Sequence, residues 1–466
     1  MKSLLYQRAL LLFALMMELT AYGQTLSSAY FLDGYMYRHQ MNPAFASERG
    51  YFSFPFLGNF NVDTRGNVGV ADFLYPYDDP TGNYSLTTFM NSTVPQSEFL
   101  NNIHDNNAIR ANLSMTLFSA GFNGFGGYNT LGISLRSNVN VNLPYGLFEF
   151  MKSGNMGGEK RTYNLHDMQC GTDNIVDISV GHSHAINDKL RIGATAKLLI
   201  GVGHVKVHFD KMDITMSEDE WIINANGYME TGIKGAYFNY KENDEIDDVD
   251  FDDNKMGVSG WGAAVDLGAT YKLLDNLTLS ASVIDLGFLR WSDAIKGVTR
   301  NDPYRFNGFE TIGVGSDSKY GDFDSQMDDL GDDLSDLAKL YDDGKTSIST
   351  TLGVTINIGV EYELPAYRNL SFGLLSTTHI NHPYTWTELR ASANVTPVNW
   401  FDAAVSAGVS TYGPTLGFVM NFHPKGFNLF VGSDMFVCNM TPQYLPKDNT
   451  NANFCMGINF PIGAKK

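Results

Sequence analysis

The side chains that could do chemistry in this sequence are few and widely spaced. His182 and His184 stand two apart in Gly181-His182-Ser183-His184-Ala185, which in a strand puts both imidazoles on one face, a spacing able to hold a metal ion. They share the apolar parity of Val176, Ile178 and Val180 beside a turn, so they read as interfacial polar residues, and no metal is expected. Ser183 points the other way, out of reach of either histidine as a base. The string also lacks the strand-turn-helix setting of a nucleophile elbow, and no catalytic centre is expected. His204, Lys206 and His208 share one strand face, read as solvated, with a pH-sensitive patch as the alternative. Arg390 falls in one parity with Ser392 and Asn394, where it would either bind an anion or pair with a carboxylate; pairing is preferred. Acidic residues cluster at Glu242 to Asp253 and Asp317 to Asp343. Asp248, Asp250 and Asp252 lack the Gly and distal Glu of an EF-hand loop, so a solvated surface is expected rather than calcium, and no cofactor. A net charge of −19 argues against nucleic acid.

The elements that must carry these residues have a period of two. In the last stretch Ala452, Phe454, Met456, Ile458 and Phe460 alternate with Asn453, Cys455, Gly457 and Asn459. Ser349 to Leu364 does the same, with Asn357, Gly359 and Glu361 opposite Ile356, Ile358 and Val360. About fourteen such segments follow one another from Tyr51, joined alternately by short turns and long connections. That alternation is the pattern of an outer-membrane barrel with short periplasmic turns and long outside loops, both ends lying in the periplasm. No run of 18 apolar residues follows Gly23, which excludes a spanning helix. The fold expected is all-β: a roughly 14-stranded antiparallel transmembrane barrel over 51–466, with long acidic extracellular loops at 210–256 and 292–347. Residues 1–23 read as a signal peptide and 24–50 as an amino-terminal plug.

Finer expectations attach to this frame. The apolar register slips between Val202 and Val205, read as a bulge where a strand leaves the membrane, with Trp221 to Thr231 forming an outside hairpin. It slips again at Asp285-Leu286-Gly287, read as a kink in the wall. Leu330, Leu334, Leu337 and Tyr341 suggest a short loop helix. Trp291, Trp386 and Trp400 read as interfacial belt residues. Cys438 and Cys455 share a parity near facing strand ends and are a possible disulfide, leaving Cys170 free.

Ser27-Ser28-Ala29-Tyr30-Phe31, Tyr37-Arg38-His39-Gln40-Met41-Asn42-Pro43-Ala44-Phe45, Val283 to Trp291 and the terminal Gly457-Ile458-Asn459-Phe460 resemble an uncharacterised family of Bacteroidota outer-membrane barrels. That family is similar to the long-chain fatty-acid transporter superfamily (FadL/PorV-like), fourteen-stranded with an amino-terminal hatch carrying Asn-Pro-Ala. Asn42, Pro43 and Ala44 match the motif. Proline also favours an extended Asn42 and a rigid turn there. The resemblance implies passive passage of a small hydrophobic or amphipathic molecule, with outer-membrane lipid around the barrel, a ligand in the lumen and the kink as an exit. The alternative is a non-transporting barrel that docks a secretion or assembly partner through its acidic loops. Those loops differ from the apolar collecting groove of a fatty-acid carrier.

Overall fold

A computed structural model describes residues 26–47, 49–55, 57–78, 84–154, 160–217, 221–241, 243–300, 303–306, 339–381, 383–436 and 451–463. Nineteen strand segments join in one antiparallel sheet. Three of them, Arg161–Asn164, Trp221–Thr231 and Tyr304–Phe306, lie at the long-loop end, and two wall strands are each split in two, which leaves fourteen strands in the wall. These are β1 (Gly50–Ser53 and Phe60–Gly66), β2 (Asn106–Gly124), β3 (Gly127–Pro144), β4 (Met168–Ala185), β5 (Leu190–Met216), β6 (Gly260–Leu274) and β7 (Leu277–Thr299). They continue as β8 (Leu340–Thr351 and Val354–Glu363), β9 (Leu370–Ile380), β10 (Trp386–Val398), β11 (Phe401–Ser410), β12 (Gly413–Phe422), β13 (Asn428–Ser433) and β14 (Ala452–Ile462).

Closure is visible in the register. The last strand pairs with β13 through Asn459 opposite Asn428 and with β1 through Pro461 opposite Tyr51, so the sheet has no open edge. Alternation explains which way each side chain faces. Cys455 and Asn459 of β14 are fully buried inside, whereas Phe454 is outside; Asn357 of β8 is buried while Ile358 is 58% exposed. Val405 and Val409 of β11, at 63% and 70% exposed, show what a soluble protein would not tolerate in such numbers and a bilayer welcomes. At the short-turn end Phe125 and Gly126 adopt φ of 55° and 76°, the two-residue turn that matches strand twist between β2 and β3. By the turn-length rule this end faces the periplasm.

Several expectations need correction. The first wall strand runs on to Gly66, and the strands beside the 292–347 loop run further out than that loop's bounds imply, β7 to Thr299 and β8 from Leu340. Tyr341 therefore sits in a strand, not a helix; Leu330, Leu334 and Leu337 lie outside the described residues. The connection between β3 and β4 holds a helix that the period-two pattern did not signal, Tyr145–Ser153, whose Leu147 and Phe150 pack on Tyr163, Met212 and Ile223. Trp221–Thr231 does pair with the outward extension of β5, Trp221 opposite Met216, and the extra residue in β5 is Val202, where the partner strand steps from Asn174 to Ile175. Trp400 is half exposed near the short-turn end, but Trp291 and Trp386 are buried. Parity decides this: Trp386 shares the inward face with Glu388 and Arg390, so it cannot reach lipid.

Candidate lumenal site

Residues 26–47 lie inside the barrel, because their contacts reach nearly every side of the wall. The Ser27 and Ser28 amides donate to the Asp434 carboxylate at 2.6 and 2.7 Å. Asn428 of β13 donates to Gly34 O at 3.2 Å, and Ser183 of β4 donates to Ala44 O at 2.9 Å. Met41 O accepts from Ser282 of β7 at 2.7 Å and from Asn357 of β8 at 3.1 Å. Tyr30, Tyr35, Tyr37 and Met41 form one buried cluster with Tyr51, Phe430 and Cys455 of the wall.

Asn42, fully buried, fixes the turn of this segment. Its Oδ1 accepts from the Ala44 amide at 3.0 Å, and its Nδ2 donates to Tyr30 Oη and to the Ala269 and Ala281 carbonyls at 3.3 to 3.4 Å. Glycine makes the fit possible. A Cβ on Gly193 would collide with Pro43 O, and one on Gly268 with Asn42 Oδ1.

Above the segment the lumen opens into a cavity of about 620 Å³, with His39, Gln40 and Met41 in its floor. Its wall is polar, and its centre is ionic. Arg136 of β3 grips Asp285 in two hydrogen bonds of 2.9 and 2.7 Å. Lys197 of β5 bridges Asp285 and Asp266 at 2.7 and 2.8 Å, and Asp177 approaches Arg136 at 4.0 Å. Five charges from five strands, β3 to β7, thus meet at one point.

The strain in the wall lies at the same point. Val265 pairs with Leu286 and Leu267 with Val283, so β7 carries an extra residue against β6, and Asp285 takes φ 64°. Its amide donates to Asp266 Oδ1 at 2.8 Å, turning a broken ladder bond inward. On the other side the β7–β8 pairing stops at Ile284 opposite Thr355 and resumes at Phe288 opposite Thr351. Asp285, Leu286 and Gly287 sit in that gap, with the weak bond from Leu352 N to Gly287 O, 3.3 Å, across it.

The remaining candidates are dispersed. Arg390 is buried and paired: its Nη2 donates to Glu388 at 2.6 Å and to Asp434 O at 2.9 Å, its Nη1 to Ser406 at 2.7 Å. The Cys455 thiol is buried and donates to Asn59 at 3.3 Å; Cys438 lies outside the described residues, and so does the proposed pairing. His182 and His184 are exposed, His182 bonded to Asn129. Asp248 and Asp250 lie in a two-stranded outside hairpin, Ala236–Tyr240 with Ile246–Phe251.

His204 is not on a solvated face. Crossing a bilayer takes roughly 9–11 tilted residues, and His204 stands beyond that reach from Leu190, in the outward part of β5. It is buried between Asp173 at 2.7 Å and Glu230 at 3.2 Å and stacks on Trp291. Burial pushes the imidazole pKa down, but hydrogen bonds and charge from the two carboxylates outweigh this and hold it at about 9. A pKa raised on folding stabilises fully below pH 6.5, the ordinary value, and the gain is lost as pH climbs through 9. Limited proteolysis within 221–231 should therefore accelerate between pH 7 and 9.5, and His204→Gln should flatten that profile. A profile unchanged by the substitution refutes the assignment.

The sequence signals missed most here were Arg136, Lys197 and Asp266. Each is a lone charge at an inward position of an apolar-alternating strand, and the common parity was the available sign.

Residues 43–434 match the model of a family of unknown function, DUF5723. The chain belongs to that family. No curated protein matches it. Among solved structures it is similar to the Ralstonia pickettii toluene transporter TbuX (10% identity, 91% of this chain and 94% of the other, TM-score 0.42). It is also similar to the Pseudomonas putida toluene transporter TodX (10%, 96% and 95%, 0.38) and a Pseudomonas aeruginosa FadL homologue (10%, 95% and 98%, 0.36). At such identities and scores these likenesses carry no functional assignment for a DUF5723 barrel.

Proposed function

We propose that this DUF5723 barrel passes a small amphipathic molecule through the outer membrane, with residues 24–50 as a movable plug and the wall gap at Asp285 to Gly287 as a second opening. The observation that carries the reading is the cavity. It stops below on a segment held only by noncovalent bonds, and it is lined by Asp285 at the interruption of the β7–β8 ladder. A polar wall suits the head of an amphipathic molecule, and a gap facing lipid suits its tail.

Currents across planar bilayers test this. The full chain should be nearly closed, and a chain lacking residues 24–47 should conduct steadily, provided its heat-dependent gel mobility shows a folded barrel. A folded, truncated barrel that passes no current overturns the passage reading. A stoichiometric protein partner recovered with the full chain would then favour the alternative, a docking subunit of a secretion or assembly complex.

A further inference from the structure

We infer that the outer half of the lumen holds an anion-binding site centred on Arg110, suited to a phosphate or carboxylate group. Arg110 lies near the outward start of β2 and lines the cavity together with Asn112, Gln169 and Tyr384. Its side chain is buried, 5% exposed, yet it forms no ion pair among the described residues. Of its N–H donors, Nε donates to Asn112 Oδ1 at 3.0 Å, while Nη1 has no partner.

The surroundings sharpen the need for a counter-charge. Directly across the ladder from Arg110 stands Arg65, a like charge. Carboxylates on the same side of the lumen are already engaged: Asp63 takes Arg65 in two bonds of 3.0 and 3.2 Å, and Glu388 takes Arg390. A buried guanidinium without its anion is costly, and natural folds rarely keep one without a compensating partner.

Donors converge beside it. Because Arg110 occupies Asn112 Oδ1, the Asn112 amide is oriented with Nδ2 free, and that nitrogen is buried and unpartnered. The Tyr384 hydroxyl, buried in the same lining, has no hydrogen-bond partner either. A planar guanidinium fork with an amide and a phenol next to it matches the oxygens of a phosphate or carboxylate. The ionic cluster around Asp285 cannot serve, since its two cations are already held by three carboxylates. As a statement about cargo the inference rests on the passage reading; as a binding site it does not.

A cysteine placed at Ser114, which lines the cavity on the same inward face of β2 as Arg110 and Asn112, supplies a reporter, while Cys455 is buried. In the full chain carrying Ser114→Cys with Cys170→Ser and Cys438→Ser, the rate at which a neutral thiol reagent labels the introduced thiol should fall saturably as inorganic phosphate or acetate is added. Dodecyl phosphate protecting at far lower concentration would assign the site to an amphiphile head group; equal protection by inorganic phosphate would assign it to a free anion. Arg110→Gln should raise the half-protecting concentration about tenfold or more, as loss of a charge-assisted bond implies. Arg110→Lys should recover part of the protection, and exposed Arg290→Gln should change nothing. Protection that is absent, or indifferent to both Arg110 substitutions in barrels of normal gel mobility, overturns the site. Saturable protection in a barrel that never conducts would keep the site and remove the passage reading instead.

Discussion

Asp285→Ala should lower the free energy of unfolding by about 2–4 kcal/mol, somewhat under the roughly 3–5 kcal/mol of a fully buried ion pair because the cluster borders a water-accessible cavity. The carboxylate is the hub of the lumen: Arg136 holds both its oxygens and Lys197 one, and without it two cations face only Asp266 and Asp177. A second cost comes from the backbone, since φ 64° suits Asp, Asn or Gly far better than Ala. Two further variants separate these costs. Asp285→Asn keeps the tolerance for that backbone and removes the charge, so it isolates the ionic part. Asp285→Gly keeps the backbone free and removes every side-chain bond. Urea midpoints of the barrel in lipid vesicles, followed by gel mobility, give the comparison. If Asp285→Asn unfolds with the wild-type midpoint, the cluster does not stabilise the wall, and its charges are there for what passes by. Combining Asp285→Asn with Lys197→Met should be clearly non-additive, because the two residues share one contact.

The architecture was legible in the sequence because the bilayer imposes a simple rule. Each wall strand must show lipid one face, so parity persists through residues as different as Phe454 and Ile358, and turn lengths give a second, independent count. The closing pair of β14 with β1 follows from the alternation of short and long connections, which gives an even strand count with both ends in the periplasm. The parts that escaped obey no period. Helix Tyr145–Ser153 sits outside the membrane and is specified by tertiary packing against Phe209, Met212 and Ile223. Trp291 and Trp386 were placed at the lipid boundary because they fall near strand ends, whereas parity sends them inward, where Arg65 covers Trp386 at 3.8 Å and His204 stacks on Trp291. The register slip at Asp285 could be seen in the sequence. Its ionic partners could not, because Arg136, Lys197 and Asp266 are brought together only by closure of a barrel across long sequence separations. Arg110 was invisible for the same reason: an unpaired charge is defined by what surrounds it.

Placing a side chain at Gly193 or Gly268 should expel the amino-terminal segment and open the barrel without touching the segment's own sequence. At Gly193 a Cβ meets the Pro43 carbonyl and the Ala44 amide, which are backbone and cannot swing aside. The segment cannot shift sideways there without losing the bond that Ser183 donates to Ala44 O. At Gly268 the collision is with Asn42 Oδ1 and the Pro43 ring, so the wedge strikes the turn from the next strand over. Overpacking of this kind costs about 1–3 kcal/mol, comparable to a few of the neutral hydrogen bonds that hold the segment, each worth roughly 1 kcal/mol net. The wall itself should gain from the change, because valine fits a strand better than glycine. Gly193→Val with Gly268→Val should therefore raise the bilayer current toward that of the truncated chain and expose Arg38 and Arg49 to trypsin added on the periplasmic side. Gly359 and Gly373 face the rings of Tyr30 and Phe31, which can rotate, so valine there should do less. Gly257, which meets only the end of the Lys234 side chain, is the control. Should the double wedge leave both the current and the trypsin pattern at wild-type values in a folded barrel, the segment is a fixed part of the wall lining and not a gate.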